Sequence, residues 1–287
     1  MEMKIMWWML LVLFYGILKG VREIVKKKAL QKNTVMEVLF FYTFLAFLFV
    51  LPQAKDAGGL EPKFYFYIGL KSFLIFLAWI CSFKAISRMP ISLYGVLDLS
   101  RVLFATLLGV WVLHETLSGG GIAGLLLVSA GLLMLKFKPN VAGKEKEVIQ
   151  PVYVFFAFAS CMLNAVSGLM DKLLMKNMNS SQLQFWYMLF LLLCYTAYLL
   201  VTGTKIRRSV WKNGWIWLLA ILFVAADKAL FIANGMEQSR ITVMTLLKQS
   251  GCIVTILAGK FIFKEKNIGY KLFCAAVIVA GIVIGVM

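Results

Sequence analysis

The sequence predicts an all-α integral membrane protein whose ten transmembrane helices form two inverted five-helix repeats. Three observations lead to this prediction. Hydrophobic residues make up 62% of the 287 residues, whereas a soluble domain has about 45–50% apolar residues. Apolar runs of roughly 20 residues, the length that a helix needs to cross a bilayer, recur along the whole chain. The two halves of the chain also match each other at a fixed offset.

Breaks between the apolar runs define the ten helices in order. The opening segment lacks a small-residue cleavage site, so we expect it to be the first span and not a removed signal peptide. Short connections with turn or capping residues, such as "RMP", "HETLSGGG" and "KNMNSS", separate the later runs. The predicted spans are 5–27, 35–52, 64–87, 90–113, 118–137, 151–173, 181–202, 214–237, 240–263 and 267–286.

The longest connection, "KFKPNVAGKEKEVIQP", has the Pro, Gly and charged residues of a polar linker. It predicts a first five-helix repeat at 1–137, a linker at 138–150 and a second repeat at 151–287. At an offset of 150 positions Ile91 meets Ile241, Ser100 meets Ser250, Gly109 meets Gly259, Glu115 meets Glu265 and Gly119 meets Gly269. Because five is odd, two such repeats in tandem cross the membrane in opposite senses, an arrangement common in secondary transporters.

A pattern of a helix, a Glu at its end and a Gly-led helix occurs once in each half, in "LLGVWVLHETLSGGGIAG" and "ILAGKFIFKEKNIGYKLF". With the ten spans, this pattern resembles the EamA branch of the drug/metabolite transporter (DMT) superfamily, and the resemblance covers essentially the whole chain. It implies a basket of helices around a central cavity, with the fourth and ninth spans near the pseudo-two-fold axis. Glu115 and Glu265 are expected to cap the helices that follow them.

Two spans carry ionisable residues on one helical face, where a charge is costly unless it faces the bundle interior. Tyr94, Asp98 and Arg101 share a face of the fourth span, and Thr245 and Lys248 share a face of the ninth. When the two halves are aligned at the 150-residue offset, Asp98 corresponds to Lys248. Asp98 therefore has two candidate partners, Arg101 one turn along and Lys248 across the repeat.

The deepest charges are Lys19, Arg101, Lys228 and Lys248 against Asp98 and Asp227, which leaves two positive charges without a partner. Such an excess predicts a substrate with an anionic group, unless a buried lysine loses its proton. A structural alternative for the first span is an ion-pair ladder of Lys19, Glu23 and Lys27. The predicted substrate pathway comprises Asp98, Arg101, Lys248, Asp227, Lys228, Lys19, Tyr94 and Thr245.

Several function classes fit the sequence poorly. The net charge of +17 is spread over short connections, where lipid headgroups explain it better than nucleic acid does. The chain has a single histidine, His114, and no metal-ligand spacing, nucleophile elbow or phosphate loop. We therefore predict neither an enzyme, nor a cofactor, nor a metal site.

The sequence instead predicts a secondary transporter for a small anionic or zwitterionic metabolite, working by alternating access. Proton coupling would go through Asp98 or Asp227. The alternative is an accessory or lipid-linked substrate translocase of the same fold. The expected partners are a small-molecule substrate and membrane lipids, without nucleic acid.

We expect a multi-pass protein of the cell membrane, in a bacterium the cytoplasmic membrane. The basic residues concentrate in the odd-numbered connections, which the positive-inside rule places in the cytoplasm, whereas the family resemblance places both termini there. The pairs Gly120/Gly124 and Gly281/Gly285 permit close helix packing, either within a monomer or in a homodimer.

Overall fold

A computed structural model of the protein describes residues 2–113, 119–136, 150–236, 244, 247–265 and 268–286. The described residues are almost entirely helical and contain no β-strand. Short 3-10 segments lie at Leu51–Asp56 and Arg208–Lys212. The α-helices are α1 (Glu2–Leu30), α2 (Val35–Val50), α3 (Pro62–Arg88), α4 (Ile91–Asp98), α5 (Arg101–Leu113), α6 (Gly119–Lys136), α7 (Pro151–Leu174), α8 (Ser180–Thr202), α9 (Gly214–Asn234), α10 (Ser250–Phe261) and α11 (Ile268–Val286).

Polar residues of the connections set the helix ends. Thr34 and Glu37 form a capping box at the start of α2, and Asn179 and Gln182 form another at the start of α8. Each box satisfies backbone N–H groups that the first helical turn leaves without an internal partner. α8 ends at Gly203, whose φ of 61° is the left-handed conformation that glycine adopts most easily.

Within the described residues, six helices are long and apolar enough to cross a membrane, and three more are apolar but shorter. The all-helical membrane architecture is thereby confirmed, while the number of ten crossings stays a prediction. The six spans are Val35–Asp56, Pro62–Arg88, Ile91–Val112, Pro151–Leu174, Ser180–Thr202 and Gly214–Asn234, and the shorter apolar helices are Gly119–Met134, Ser250–Phe261 and Ile268–Gly281.

The fourth predicted span, drawn as one helix over 90–113, is interrupted between α4 and α5. Leu99 and Ser100 form a turn in which Leu99 N–H donates to Val96 and Ser100 N–H to Leu97, at 3.1 and 3.0 Å. These three-residue bonds belong to a 3-10 turn and not to an α-helix. A turn at Gln249, which the 150-residue offset aligns with Leu99, likewise precedes α10. Interrupted helices at corresponding positions of two repeats are typical of transporter binding sites.

The helices of the two halves interlock. α1 packs mainly on α9 and α10, α3 on α7 and α8, α4 on α10, and α6 on α11. At the α1–α10 crossing the backbones nearly touch, because a Cβ on Gly20 would lie 2.7 Å from the Gly251 carbonyl oxygen. A Cβ on Gly281 would lie 2.8 Å from the Gly124 carbonyl oxygen. This small-residue pair therefore serves an internal contact, the first of the two alternatives left by the sequence.

Glu265 marks what we call the capped end of the bundle. Its carboxylate accepts hydrogen bonds from the backbone N–H groups of Ile91 at 2.6 Å and Ser92 at 3.1 Å, at the start of α4. The expectation that Glu265 caps the following helix, α11, is therefore wrong: it caps a helix of the other half. At the same end Arg207 donates to Glu37 through Nε and Nη2, each at 2.8 Å. Glu115 lies outside the described residues.

At the opposite end of the bundle, the contacts have neutral acceptors. Lys228 Nζ donates to Gln53 Oε1 and Ser181 Oγ, each at 2.8 Å. Trp186 Nε1 donates to the Ala57 carbonyl oxygen at 2.8 Å. Both ends therefore join segments that are more than a hundred residues apart, and both join the first half to the second.

Candidate functional site

A cavity of about 420 Å³ lies between helices of both halves. Charged, aromatic and small side chains of α1, α3, α4, α5, α7, α8 and α9 line it, with Met244, Lys248 and Gln249 from the segment before α10. The volume lies within the usual range for sites that hold small molecules, about 300–1,000 Å³. The position between the repeats is the one that the sequence predicts for a substrate site.

The cavity is closed toward the capped end and widens toward the opposite end. Its lining residues near the capped end, Lys26, Ser82 and Tyr94, are all buried. Near the opposite end it is lined by Gly168, which is exposed, and Asn234, which is half-buried. The more exposed part of the lining therefore lies toward the opposite end.

Asp98 is the centre of one charged cluster. Lys19 forms an ion pair with one carboxylate oxygen of Asp98, and Arg101 Nη2 donates to the other at 3.0 Å. Asp98 lies behind these two cations, which themselves face the cavity. The Arg101 pairing is one of the two alternatives predicted from the sequence, whereas Lys19, which is 79 residues away, was not expected as the partner.

The predicted ladder within the first span is not the arrangement that forms. Lys19 pairs with Asp98, and Glu23 instead accepts two hydrogen bonds from Lys26, at 2.6 and 2.8 Å. Lys26 also donates to Ser82 Oγ at 3.2 Å, which lies 2.6 Å from the Tyr94 hydroxyl. Tyr94, predicted for the substrate pathway, therefore lies at the closed end of the cavity.

Asp227 and Lys228 point in different directions, as adjacent residues on a helix must. Asp227 lines the cavity, and its carboxylate lies 3.4 Å from Arg22 Nη1. Lys228 does not line this cavity and bonds to Gln53 and Ser181 at the opposite end.

Lys71 and Asp171 form a further buried ion pair, with Lys71 Nζ 3.1 Å from Asp171 Oδ1. The same ammonium lies 3.6 Å from the centre of the Tyr187 ring. This close contact between a cation and the face of an aromatic ring is favourable, the more so away from water. Both members of the pair line the cavity.

Lys248 also lines the cavity, but among the described residues it has neither a carboxylate within 4.0 Å nor a hydrogen-bond partner. Its ammonium lies 6.0 Å from the centre of the Tyr15 ring. The structure pairs Asp98 with Lys19 and Arg101, so the second predicted partner of Asp98, Lys248, is not in contact with it. Thr245 lies outside the described residues.

Positive charge exceeds negative charge around the cavity. Three acidic residues in the lining, with Asp98 behind it, face seven basic residues, which is an excess of three positive charges among the described residues. The acidic residues are Glu23, Asp171, Asp227 and Asp98, and the basic ones are Lys19, Arg22, Lys26, Lys71, Arg101, Lys172 and Lys248.

An aromatic wall completes the site. Trp79 lies with its ring centre 5.1 Å from those of Tyr42 and Phe223, and Phe223 meets Tyr42 edge-on at 5.4 Å. Such rings, packed edge to face, hold α2, α3 and α9 in fixed positions. Arg22 lies over the Phe223 ring at 5.0 Å.

Sequence reasoning missed Arg22, Lys26, Lys71 and Asp171 as members of the site. Lys71 and Asp171 carry the same signal as Asp98, because each is an isolated charge within an apolar run. Arg22 and Lys26 belong to a basic cluster at the end of the first span, where basic residues usually serve topology.

Comparison with known proteins supports the architecture. The chain matches the EamA-like transporter family over residues 6–137 and again over 151–287. No curated protein matches it. A solved structure described as "Crystal structure of protein" has a TM-score of 0.66 at 15% identity, covering 96% of this chain and 94% of that one. At this identity the likeness shows the fold alone. The family match, in two copies over nearly the whole chain, confirms the resemblance to the DMT superfamily, and the chain belongs to the EamA-like transporter family.

Proposed function

We propose that the chain is a secondary transporter that moves a small anionic or zwitterionic metabolite across a membrane by alternating access. The observation that carries this proposal is the charged cavity between the two halves. Buried charges are costly in a membrane protein and usually mark a pathway for substrates or ions. A cavity with seven cationic side chains serves no packing purpose, but it suits a ligand that brings negative charge.

The same proposal includes the full architecture. Ten spans form two inverted five-helix repeats at 1–137 and 151–287, joined by the linker 138–150. The interrupted fourth and ninth spans support it, since broken helices at corresponding positions accompany a binding site at the repeat interface. The conformation described here is open toward the opposite end and closed at the capped end. The other conformation would release Glu265 from α4 and close the opposite end.

Within this scheme the side chains have different roles. Arg101 and Lys248 contact the substrate, Lys19 and Asp98 hold Arg101 in place, and Tyr94 closes the cavity below them. Asp227 carries the coupling proton, because it has a single cationic contact at 3.4 Å, whereas Asp98 is held by two cations. Lys228 acts outside the cavity, as part of the contact with Gln53 and Ser181.

We further propose that the protein is neither an enzyme nor dependent on a cofactor, and that it lies in the cell membrane. Within the described residues, no three His, Cys, Asp or Glu side chains are arranged to hold a metal ion. Gradients of substrate or protons would drive transport. The internal use of Gly124 and Gly281 favours a functional monomer over a homodimer.

Counterflow in proteoliposomes tests the function. Vesicles loaded with one unlabelled metabolite at a time, from an anionic, a zwitterionic and a cationic panel, should accumulate the same labelled metabolite from outside when it is a substrate. Exchange of anions or zwitterions that is lost in the variant Arg101→Gln would support the proposal. Movement of phospholipid between leaflets, without exchange of any soluble metabolite, would overturn it in favour of a lipid-linked translocase.

A further inference from the structure

Each of the four carboxylates at the cavity has a cation of the protein within 4.0 Å, although Asp171 Oδ1 accepts no hydrogen bond. Asp98 holds Lys19 and Arg101, and the other three each hold one cation. The other pairs are Glu23 with Lys26, Asp227 with Arg22, and Asp171 with Lys71. A ligand ammonium group would therefore compete with a buried cation of the protein for each carboxylate, and a cation that it displaced would be left without a partner.

Two cationic side chains in the cavity lining have donors that no acceptor engages among the described residues. Lys248 has no carboxylate partner among the described residues, and Arg101 Nε is buried without a hydrogen-bond acceptor. Both side chains line the same cavity, and as two cations they repel each other. A buried donor without an acceptor is costly, so the site gains when a ligand supplies one.

Part of the remaining lining is apolar, beside the polar side chains of Asn164, Asn234 and Gln249. Trp79, Phe223 and Phe231 in its wall are buried, and Ile75 and Leu230 extend the same surface. This wall carries no acceptor or charge for a polar ligand, so it suits a hydrocarbon or aromatic body.

From these three observations we infer that the substrate is an organic anion with an apolar or aromatic body and no ammonium group, bound through its anionic group by Lys248 and Arg101. This inference rests on the proposed transport function and narrows its substrate from anion or zwitterion to anion. Because the buried carboxylates are already paired with cations of the protein, the site disfavours zwitterions and cations. Specificity then comes from groups that the wrong ligand would leave unpaired.

Two series of ligands that share a body and differ in charge provide the test. The aromatic series is 3-phenylpropanoate, phenylalanine and phenethylamine, and the aliphatic series is 4-methylpentanoate, leucine and 3-methylbutylamine. Phenyl phosphate distinguishes a phosphate group from a carboxylate. Binding is measured as ligand-dependent stabilisation of the purified protein, which follows the ratio of ligand concentration to Kd, and exchange is measured by counterflow.

The inference expects the carboxylate or phosphate member to stabilise the protein at concentrations at which the amino acid and the amine do not. Lys248→Met should weaken this binding about ten- to a hundredfold, the usual loss for one charge-assisted hydrogen bond, and Lys248→Arg should restore most of it. Lys228→Met is the matched control, because it removes the same charge outside the cavity and should leave Kd unchanged.

Each result separates the inference from the proposed function. If phenylalanine or leucine binds and exchanges as well as its deaminated analogue, the inference is overturned while transport stands. Anion binding that is equally strong in Lys248→Met would overturn the assignment of the site. If no ligand of either series stabilises the protein or exchanges, both the inference and the proposed transport function fail.

Discussion

At the scale of single residues, Asp98 shows how this protein carries charge inside an apolar bundle. Its two oxygens take separate cations, Lys19 from α1 and Arg101 from α5. A lone charge at this depth would cost several kcal/mol, so the three groups are stable only together. The cluster ties the first span to the interrupted fourth span, and it holds Arg101 at the cavity wall.

Replacing Asp98 should therefore be severe. In Asp98→Asn, Lys19 and Arg101 lose their counter-charge, and we expect a loss of about 3–5 kcal/mol, the usual result of removing one partner from a buried ion pair. The measurement is the fall in Tm of the purified protein. The double variant Asp98→Asn/Lys19→Met should recover part of the loss, because it removes one of the stranded charges.

An exposed ion pair provides the control for this experiment. Glu61 and Lys63 lie 2.6 Å apart, but both side chains are more than half exposed. Exposed pairs contribute little to stability, so Glu61→Gln should leave Tm unchanged. An equal fall in Tm in Asp98→Asn and Glu61→Gln would mean that the buried cluster contributes no more to stability than the exposed pair does.

Asp227 should carry the coupling proton. The variant Asp227→Asn cannot bind or release a proton, so we expect it to exchange substrate at equal pH but to lose accumulation driven by a pH gradient. Asp227→Glu keeps a titratable group and should keep the response. The measurement is uptake into proteoliposomes with and without the gradient, and a normal gradient response in Asp227→Asn would place the coupling elsewhere.

At the scale of elements, the α1–α10 crossing lies next to Lys19, the α1 residue that pairs with Asp98. Its backbones approach so closely that a Cβ on Gly20 would lie 2.6 Å from Val254 Cβ and 2.7 Å from the Gly251 carbonyl oxygen. A side chain at this position would force the helices apart. The glycines are thus required by the packing, not by an unusual backbone angle.

We expect Gly20→Ala to cost about 1–3 kcal/mol, the usual penalty for overpacking, and to reduce transport because the charged cluster lies beside the crossing. The measurements are Tm and counterflow rate. Gly69→Ala in α3 is the matched control, since a Cβ there meets nothing within 4 Å and alanine favours the helix. A Gly20→Ala protein as stable as Gly69→Ala would contradict the close packing.

The cap at the start of α4 depends on the charge of Glu265. Burial raises the pKa of Glu265, but hydrogen bonds from Ser92 and Ile91 and the nearby Lys271 ammonium outweigh this effect and hold the pKa below its usual range. Lys27 lies 3.6 Å from the same carboxylate. A lowered pKa means that the ionised form contributes stability above the pKa of the unfolded chain, and that this stability is lost as the pH falls through the folded-state pKa.

As the pH is lowered, stability should therefore decrease more steeply in the unmodified protein than in Glu265→Gln. The difference between the two should be constant near neutral pH, then shrink below the ordinary glutamate pKa of about 4.3. Tm measured across this range checks the prediction. Parallel curves for both proteins would show that Glu265 makes no ionic contribution to the cap.

At the scale of the whole molecule, the two halves interlock around one cavity that is open at one end. At the capped end, Glu265 on α4 and Arg207 on Glu37 join the halves through carboxylates, and around the cavity the pairs Lys71–Asp171 and Arg22–Asp227 do the same. Hydrogen bonds and ion pairs of this kind can be replaced by hydrogen bonds to water at low cost. The apolar contact between α6 and α11 has no such replacement. Rocking of one half against the other would therefore pivot on the apolar contacts and break the polar ones.

Cysteine labelling tests the sidedness of the cavity. In a background with the five native cysteines replaced, Gly168→Cys and Asn234→Cys should react with a membrane-impermeant thiol reagent applied from the side of the opposite end. Reagent applied from the capped end should label neither, because the cavity is closed there. Equal labelling from both sides would contradict a closed end.

The helices were predictable because apolar runs and capping residues are local signals. The exceptions have physical causes. The turn at Leu99 and Ser100 lies within an apolar run in which Gly95, Asp98 and Ser100 are only weak signals for a break, so the run is predicted as one span. Asp227 and Lys228 are adjacent and must point in different directions on a helix, but the sequence does not say which of the two faces the cavity.

The sequence by itself determined the membrane class, the two related halves and the family, because these depend on composition, run length and internal similarity. Only the tertiary structure decided which charges pair, since Lys19 and Asp98 are 79 residues apart and Lys71 and Asp171 are a hundred apart along the chain. Every isolated charge in an apolar span needs a partner, and many pairings would satisfy that need. The packing of α1 on α10 and of α3 on α7 selects one of them, and it leaves Lys248, in the cavity lining, without a carboxylate among the described residues.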